Sequence, residues 1–563
     1  MDIGLVGDGP AIDAVAAALG DVDVNVMPVE PELLDGFDLA VVVDTVGSHA
    51  FTAANEALDR WVAIEVGGVG GAPLDDLDAA VTVFDDACYE CLRHRVASGT
   101  ADPGDTPAGR RSAVRYAGAL AGRRTIQLLA GDNVADTVTE VPGGKRRLLP
   151  APGCECGSAV DSALPRTHEP RSLSDAIERA ERTVDQRIGA LTEVGEQASF
   201  PVPYYVARVA DTSRFSDARA AEFGGGVDAD WDGAFMKALG EGLERYAAGV
   251  YREAEWTRST AATVPNPVPP DAFVRPGNTA AYNPDDQLAW VTGEHLTTGA
   301  PATLPAECVY FPPPTQRYRP AITTGLGLGN SGIEAALSGM YEVIERDATM
   351  TSWYSTMDPL GLEIDDPVVT ELTKRARAES LSVTPLLVTT DIDVPVVAVG
   401  VHRDGDWPRF AAGSGANLDP VAAVRSALAE ALQNWTELRS MGEAAAADES
   451  AAIGEHADFP AETRAFFDPE TAVSAASVGD SDLTGTEELT AVTDRVTATG
   501  MEPYVVRLTT RDLTAVGFEA VRVLLPSAQP LFTGEPFFGE RAREVPRSMG
   551  FEPELEKRYH PFP

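Results

Sequence analysis

Two short acidic signatures are the residues of this chain best suited to chemistry. Glu241-Gly-Leu-Glu244-Arg245 recurs roughly a hundred residues later as Glu342-Val-Ile-Glu345-Arg346. Each lies on a segment with helical apolar spacing, Phe235, Leu239 and Leu243 in the first and Leu337, Met340 and Ile344 in the second. At about 100° per residue, Glu241 and Glu244 share a face, Glu334 and Glu345 nearly eclipse one another, and Glu342 lies about 80° from Glu334. A third helical segment, residues 421–439, offers Glu430 and Gln433 on one face.

Crowded carboxylates repel and raise one another's affinity for protons. A hard cation removes the conflict, and magnesium takes oxygen ligands that it shares with substrate phosphates. The chemistry that follows is activation or transfer of a phosphoryl group, with Lys237, Arg245 and Arg346 as the cations beside the acids. Taken singly, each glutamate has a plainer reading: Ser331-x-x-Glu334 is a capping box, and Glu–Arg neighbours are usually solvated. The repeated motif together with its partner helix favours a site.

Five cysteines fall as Cys88-x-x-Cys91, Cys154-x-Cys156 and a lone Cys308. In a cytoplasmic chain disulfides are disfavoured, and two close pairs point to one tetrahedral ion in a closed structural zinc site. Redox-active pairs are the alternative. Asp85 and Asp86 ahead of the first pair, and Pro152, Gly153 and Gly157 around the second, supply turns that could present the sulfurs. His94, flanked by arginines, reads as a surface side chain and Cys308 as a core thiol.

The elements that carry these groups divide the chain in two. Residues 1–100 read as an open α/β unit: strand Asp2–Val6, turn Gly7-Asp8-Gly9-Pro10, a helix over 11–19, and strands over 23–27, 39–43 and 61–65. The turn begins a dinucleotide fingerprint that Ile12 breaks, so a tight strand–helix connection is the better reading. A polar linker over 99–107, a helix over 111–131, the second cysteine pair and a boundary at 165–170 follow. Residues 170–563 form one large α+β region, interrupted by a proline-rich stretch at 264–276 and an acidic, alanine-rich loop at 442–450. The expected fold class is α/β followed by α+β.

Charge bounds the partners. The chain has 87 acidic and 44 basic residues, a net −43, and its only lysines are Lys145, Lys237, Lys374 and Lys557. Acids spread along the whole length suit high internal salt, which screens self-repulsion, and so a halophilic source. Periodic apolar segments argue against an acidic disordered chain. Nucleic-acid binding, which needs clustered Lys and Arg, is not expected. No run approaches the roughly 20 apolar residues of a membrane span. Met1 leads into the apolar residues 3–6 without a basic region, so a cytoplasmic location is expected.

In its acidic segments the sequence resembles the YcaO family. Lys237-Ala-Leu-Gly-Glu241-Gly-Leu-Glu244-Arg245, then Gly329-Asn330-Ser331-Gly-Ile-Glu334 running into Glu342-Val-Ile-Glu345-Arg346-Asp347-Ala348, and Ala427-Leu-Ala-Glu430-Ala-Leu-Gln433 match it in order and spacing, over roughly 170–563. The resemblance implies that these helices bind ATP, with Glu241, Glu244, Glu334, Glu342, Glu345 and Glu430 as magnesium ligands or their close support. Lys237, Asn330, Arg346 and Gln433 would touch phosphate or nucleotide. The family often has arginine four residues before the last glutamate; that place is Ser426 here, and Arg425 beside it is the candidate. Peptide-cyclising members often end in Pro-x-Pro-x-Pro. This chain ends Tyr559-His560-Pro561-Phe562-Pro563, with Tyr559 for the first proline, which makes Pro563, with Arg346, a catalytic candidate.

The front of the chain resembles the docking partner of azoline-forming members. That partner has a ThiF-like, ubiquitin-activating-type fold that has lost adenylation and keeps a zinc tetrathiolate, matched here by Cys88, Cys91, Cys154 and Cys156. By this resemblance the domains are a Rossmann-like docking unit (1–100), a helical zinc module completing it (101–165) and a YcaO domain (170–563). The chain opens on the first Rossmann-like strand, without the winged-helix peptide-recognition domain that usually precedes it. A separate leader-recognition protein, a flavin dehydrogenase and a precursor peptide are the implied partners, and a homodimer the implied assembly. The implied reaction is ATP-dependent azoline formation from Cys, Ser or Thr of a ribosomal peptide. The alternatives are thioamide or amidine formation with an external nucleophile and a non-catalytic docking scaffold.

Overall fold

A computed structural model describes residues 1–100, 104–157, 160–448 and 453–562. The first unit is built on a seven-stranded sheet. Strands Asn25–Pro28, Asp2–Val6, Leu39–Thr45 and Trp61–Val66 run parallel, and Ala79–Phe84, Thr137–Val141 and Lys145–Arg147 continue the sheet antiparallel. The central strands are near-continuous apolar runs because helices cover both faces. Gly9–Leu19 and Arg111–Leu129 pack with Ile3, Leu5, Val41 and Val81 on one side. His49–Ala57 and Tyr89–Ser98 pack with Val42, Ala63 and Phe84 on the other. The Gly7–Gly9 segment is the turn between the first strand and its helix.

The rest of the chain is α+β, with three further sheets of three, six and five strands. One glycine-rich strand terminates each of them: Phe223–Val227, Leu326–Gly329 and Phe410–Ala416. Each such strand leads directly into a long helix, Trp231–Ala248, Gly332–Trp353 and Pro420–Met441 respectively. Glycine is needed here because the helices press onto the strands. A β-carbon on Gly226 would lie 2.0 Å from the Ala238 nitrogen, and one on Gly413 would lie 2.4 Å from the Ala427 oxygen.

Two local expectations change. The segment expected to be a loop at 442–450 carries the helix Glu443–Asp448, which alanine's helix propensity supports. His94 is half-buried rather than on the surface, its ring 6.5 Å from that of Phe215. Cys308 is a buried thiol as expected, and burial pushes its pKa up to about 11. No helix among the described residues is long and apolar enough to cross a membrane.

Candidate active site

The three terminal strands bring their helices together around a cleft of about 800 Å³, whose wall includes Glu241, Glu244, Glu334 and Glu430. A strand at the end of a sheet has N–H groups with no ladder partner. Here those groups hold carboxylates, in one arrangement used three times. The Gly225 N–H donates to Glu241 Oε2 (3.0 Å), that of Gly325, just ahead of its strand, to Glu342 Oε2 (3.0 Å), and that of Ser414 to Glu430 Oε2 (2.6 Å). The sequence separations are 16, 17 and 16 residues. Each glutamate is thus fixed by the strand that its own helix covers.

Glu345 joins through Ser414, whose hydroxyl donates to Glu345 Oε1 (2.7 Å) while its N–H holds Glu430. Arg346 lies 3.5 Å from Glu345, and Arg245 pairs with Glu241 (2.8 Å) and Glu244 (3.5 Å). Burial, reinforced by the neighbouring charges of Glu342 and Glu241, raises the Glu244 carboxyl to about 8. Burial and Glu345 raise Glu430 to about 7, against the opposing pull of Arg346. Glu345 is raised for the same first reason. Arg522 is buried nearby; burial and then Arg319 bring its pKa down to about 9.

Such a donor set suits magnesium. Carboxylates that retain protons near neutrality because they are buried beside one another are the oxygen ligands that a hard divalent ion displaces protons from. The sign of the resulting pH dependence can be tested. Glu244 binds its proton more tightly folded than unfolded, so its contribution to stability is lost as pH rises from about 4.5 to about 8. In chelator, Glu244→Gln should match the parent near pH 4.5 and become progressively more stable than it up to pH 8. Chemical denaturation across that range measures the gap, and a constant gap would remove Glu244 from the strained set.

The other expected residues sit around this cluster. Glu334 occupies the first turn of its helix, where its Oε2 accepts from the Asn330 N–H (2.9 Å) and side-chain amide (2.8 Å). Ser331 caps this helix, its Oγ accepting from the Glu334 N–H (3.2 Å). Eleven residues separate it from Glu345, about 16 Å along the helix, so eclipsing side chains does not make them neighbours. Asn330, on the same cleft, is held by Arg179. Lys237 reaches Asp228 (2.6 Å), and Gln433 donates to Glu437 (3.0 Å). Arg425 departs from expectation: its guanidinium is clamped by Asp366, and Ser426 forms the cleft wall instead.

The tail lies beside the same cluster. The Tyr559 hydroxyl donates to the Phe532 carbonyl (2.5 Å), which His560 Nε2 also contacts (2.9 Å), and Phe562 is buried. Burial and then the Arg346 charge lower His560 to about 4, so the tail is within electrostatic reach of Arg346. Pro563 lies outside the described residues.

The second candidate centre is the cysteine cluster. Cys88 caps the Tyr89–Ser98 helix, Cys91 lies in its first turn, and Cys154 and Cys156 come from the turn after Pro152. Sulfur separations are 3.8 Å (Cys88–Cys91), 3.5 Å (Cys88–Cys154) and 3.5 Å (Cys91–Cys156), and all four lie within 4.8 Å of one another. Tetrahedral Zn–S bonds of about 2.3 Å require S···S of about 3.8 Å, so the set fits zinc.

Several partners in the acidic site had no sequence signal of their own, Ser414 and Arg522 among them. The glycine-rich runs Gly224-Gly225-Gly226 and Gly413-Ser414-Gly415 ahead of the acidic helices were the available clue.

The acidic helices fall within a match to a known family. The family model described as YcaO cyclodehydratase, ATP- and Mg2+-binding, matches residues 225–529. An uncharacterized protein of Methanothermobacter thermautotrophicus is 31% identical over 210 residues, covering 35% of this chain and 53% of that protein. An uncharacterized protein encoded in the tfuA 3′ region of Rhizobium leguminosarum bv. trifolii is 26% identical over 186 residues, covering 29% and 43%. The match therefore spans about half the length of these curated relatives or less. Among solved structures, a heterocyclase in complex with substrate and cofactor shares the fold, with TM-score 0.72, 18% identity, and 98% of this chain and 83% of that one covered. YcaO from Methanopyrus kandleri bound with AMPPCP and Mg2+ has TM-score 0.50 and 25% identity, covering 63% and 90%.

Proposed function

The chain belongs to the YcaO cyclodehydratase family, whose ATP- and Mg2+-binding model covers more than half of it, and on that premise we propose that it activates backbone amides of a ribosomal peptide and closes azoline rings. The observation that carries the reading is the clustering of Glu342 and Glu345 with Glu241, Glu244 and Glu430 of the cleft wall, four of the five tied to a backbone N–H or a serine hydroxyl by a hydrogen bond. These residues would hold magnesium, with Glu334 and Asn330 at the far end of the cleft. When bound, magnesium and ATP supply a neutralised phosphoryl group that makes the amide oxygen a leaving group. Lys237 and Gln433 line the cleft where nucleotide would lie, and Arg346 lies beside Glu345 within electrostatic reach of the tail.

The ring-closing nucleophile is the Cys, Ser or Thr side chain that follows the activated carbonyl. Holding it against that carbonyl makes the step effectively intramolecular, where orientation contributes several kcal/mol. No separate nucleophile carrier is needed, and the N-terminal unit is free to dock peptide. The cysteine cluster holds structural zinc in this reading. The substrate is a precursor peptide, and a leader-recognition protein and a flavin dehydrogenase act before and after this enzyme. Peptide incubated with enzyme, ATP and magnesium should lose one water per modified residue with no sulfide added, as read by mass spectrometry. Exchange of oxygen for sulfur that depends on a sulfide source would sink azoline formation and promote the thioamide reaction.

A further inference from the structure

One fully buried charged network joins the two candidate centres. Arg95, Asp512 and Tyr246 are each 0% exposed. Arg95 donates to the Tyr246 oxygen (3.1 Å) and forms an ion pair with Asp512, and the Tyr246 hydroxyl donates to Asp512 Oδ2 (2.6 Å). Asp512 is further held by Thr510 and by its neighbour's N–H, from Leu513 (3.0 Å). Burying such a pair costs desolvation that its Coulomb attraction barely offsets, so the pair is weak evidence for stability and better evidence for a fixed register between elements.

The elements in question are the ones that matter. Cys91 and Arg95 are one turn apart on the same face of the Tyr89–Ser98 helix. Arg95 also donates to the Pro150 carbonyl (2.9 Å), on the segment that leads to Cys154. Arg511, adjacent to Asp512, donates to the Cys154 carbonyl (3.1 Å) and contacts Cys156 Sγ (3.5 Å). Tyr246 lies two residues past Glu244, about 200° around the helix from it. The helix therefore shows Glu241 and Glu244 to the cleft while Tyr246 pins its back.

We propose that Arg95, Asp512 and Tyr246 are positioning residues that couple occupancy of the cysteine cluster to the placement of Glu241 and Glu244. Removing metal from the cysteines then weakens magnesium-nucleotide binding through this network, with no shared ligand. The inference rests on the reading of the acidic cleft as a nucleotide site. Because coupling between sites is reciprocal, nucleotide bound in the cleft should slow loss of zinc from the cysteines.

The test measures the affinity of a non-hydrolysable ATP analogue with magnesium by calorimetry, for zinc-loaded and chelator-stripped full-length protein. Stripping should weaken binding about tenfold in the parent, within the usual range of couplings. Tyr246→Phe, which keeps the ring and loses only the hydroxyl, should shrink that factor to about twofold while retaining zinc content and melting temperature. Arg95→Met combined with Asp512→Leu, which removes both charges together, should do the same. Zinc release to a chromogenic chelator, followed with and without the analogue, reads the reciprocal effect. An equal loss of affinity in parent and Tyr246→Phe, or none in the parent, overturns the coupling. Failure of zinc-loaded parent to bind the analogue at all would overturn the nucleotide reading with it.

Discussion

Glu345→Gln should lower ATP hydrolysis by about a hundredfold or more, with the melting temperature little changed. Glu345 is mostly covered, accepts from the Ser414 hydroxyl (2.7 Å) and lies beside Arg346 (3.5 Å) and near Glu342 and Glu430. Glutamine keeps the shape and the acceptor for Ser414 but removes one negative charge from the set that would hold magnesium. A bound metal supplies several kcal/mol of charge neutralisation to phosphoryl transfer, and each 1.4 kcal/mol is about tenfold in rate. The fold should survive because the lost charge was itself disfavoured by burial. Steady-state ATPase assays with saturating magnesium, alongside thermal melting, decide it. Full turnover in the variant would take Glu345 out of the site.

Cys91→Ser should abolish stoichiometric zinc and make the N-terminal unit the first part of the molecule to melt. Cys91 is buried, and its sulfur lies 3.8 Å from Cys88 and 3.5 Å from Cys156. Crowding of the other thiols, Cys154 first, pushes its own thiol pKa up, which a cation would reverse. Structural zinc contributes on the order of 10–16 kcal/mol to the folding of small zinc modules. Losing one of four thiolates therefore removes most of the force that ties the 150–157 turn to the Tyr89–Ser98 helix. Metal analysis of purified protein, with limited proteolysis around residues 150–157, measures both effects. About one equivalent of zinc retained in the variant would mean the ligands are misassigned.

Much of this was legible along the chain because helical periodicity and short ligand spacings are local properties. The 3.6-residue repeat put Glu241 and Glu244 on one face, and the helix Trp231–Ala248 presents both to the cleft. The Cys-x-x-Cys and Cys-x-Cys pairs fall within ion-binding distance of each other. Apolar runs and turn residues located the four parallel strands of the first sheet to within two residues at each end, but not its antiparallel strands Ala79–Phe84, Thr137–Val141 and Lys145–Arg147. The same rule misled where local geometry is not enough: Glu334 and Glu345 share an angular position on their helix but not a neighbourhood.

What only the tertiary structure decided is which groups satisfy these side chains. Backbone N–H groups of Gly225, Gly325 and Ser414 reach Glu241, Glu342 and Glu430 because three sheets end beside the same helices, a fact about strand order that no window of sequence contains. Arg425 is drawn to Asp366, 59 residues away, since a buried carboxylate beside it outcompetes the cleft. Arg95 finds Asp512 at a separation of 417 residues. Pairings of that kind depend on where the chain returns after folding, so composition and periodicity determine the helices and the ligand types, while the close-packed contacts between distant segments determine which charges meet.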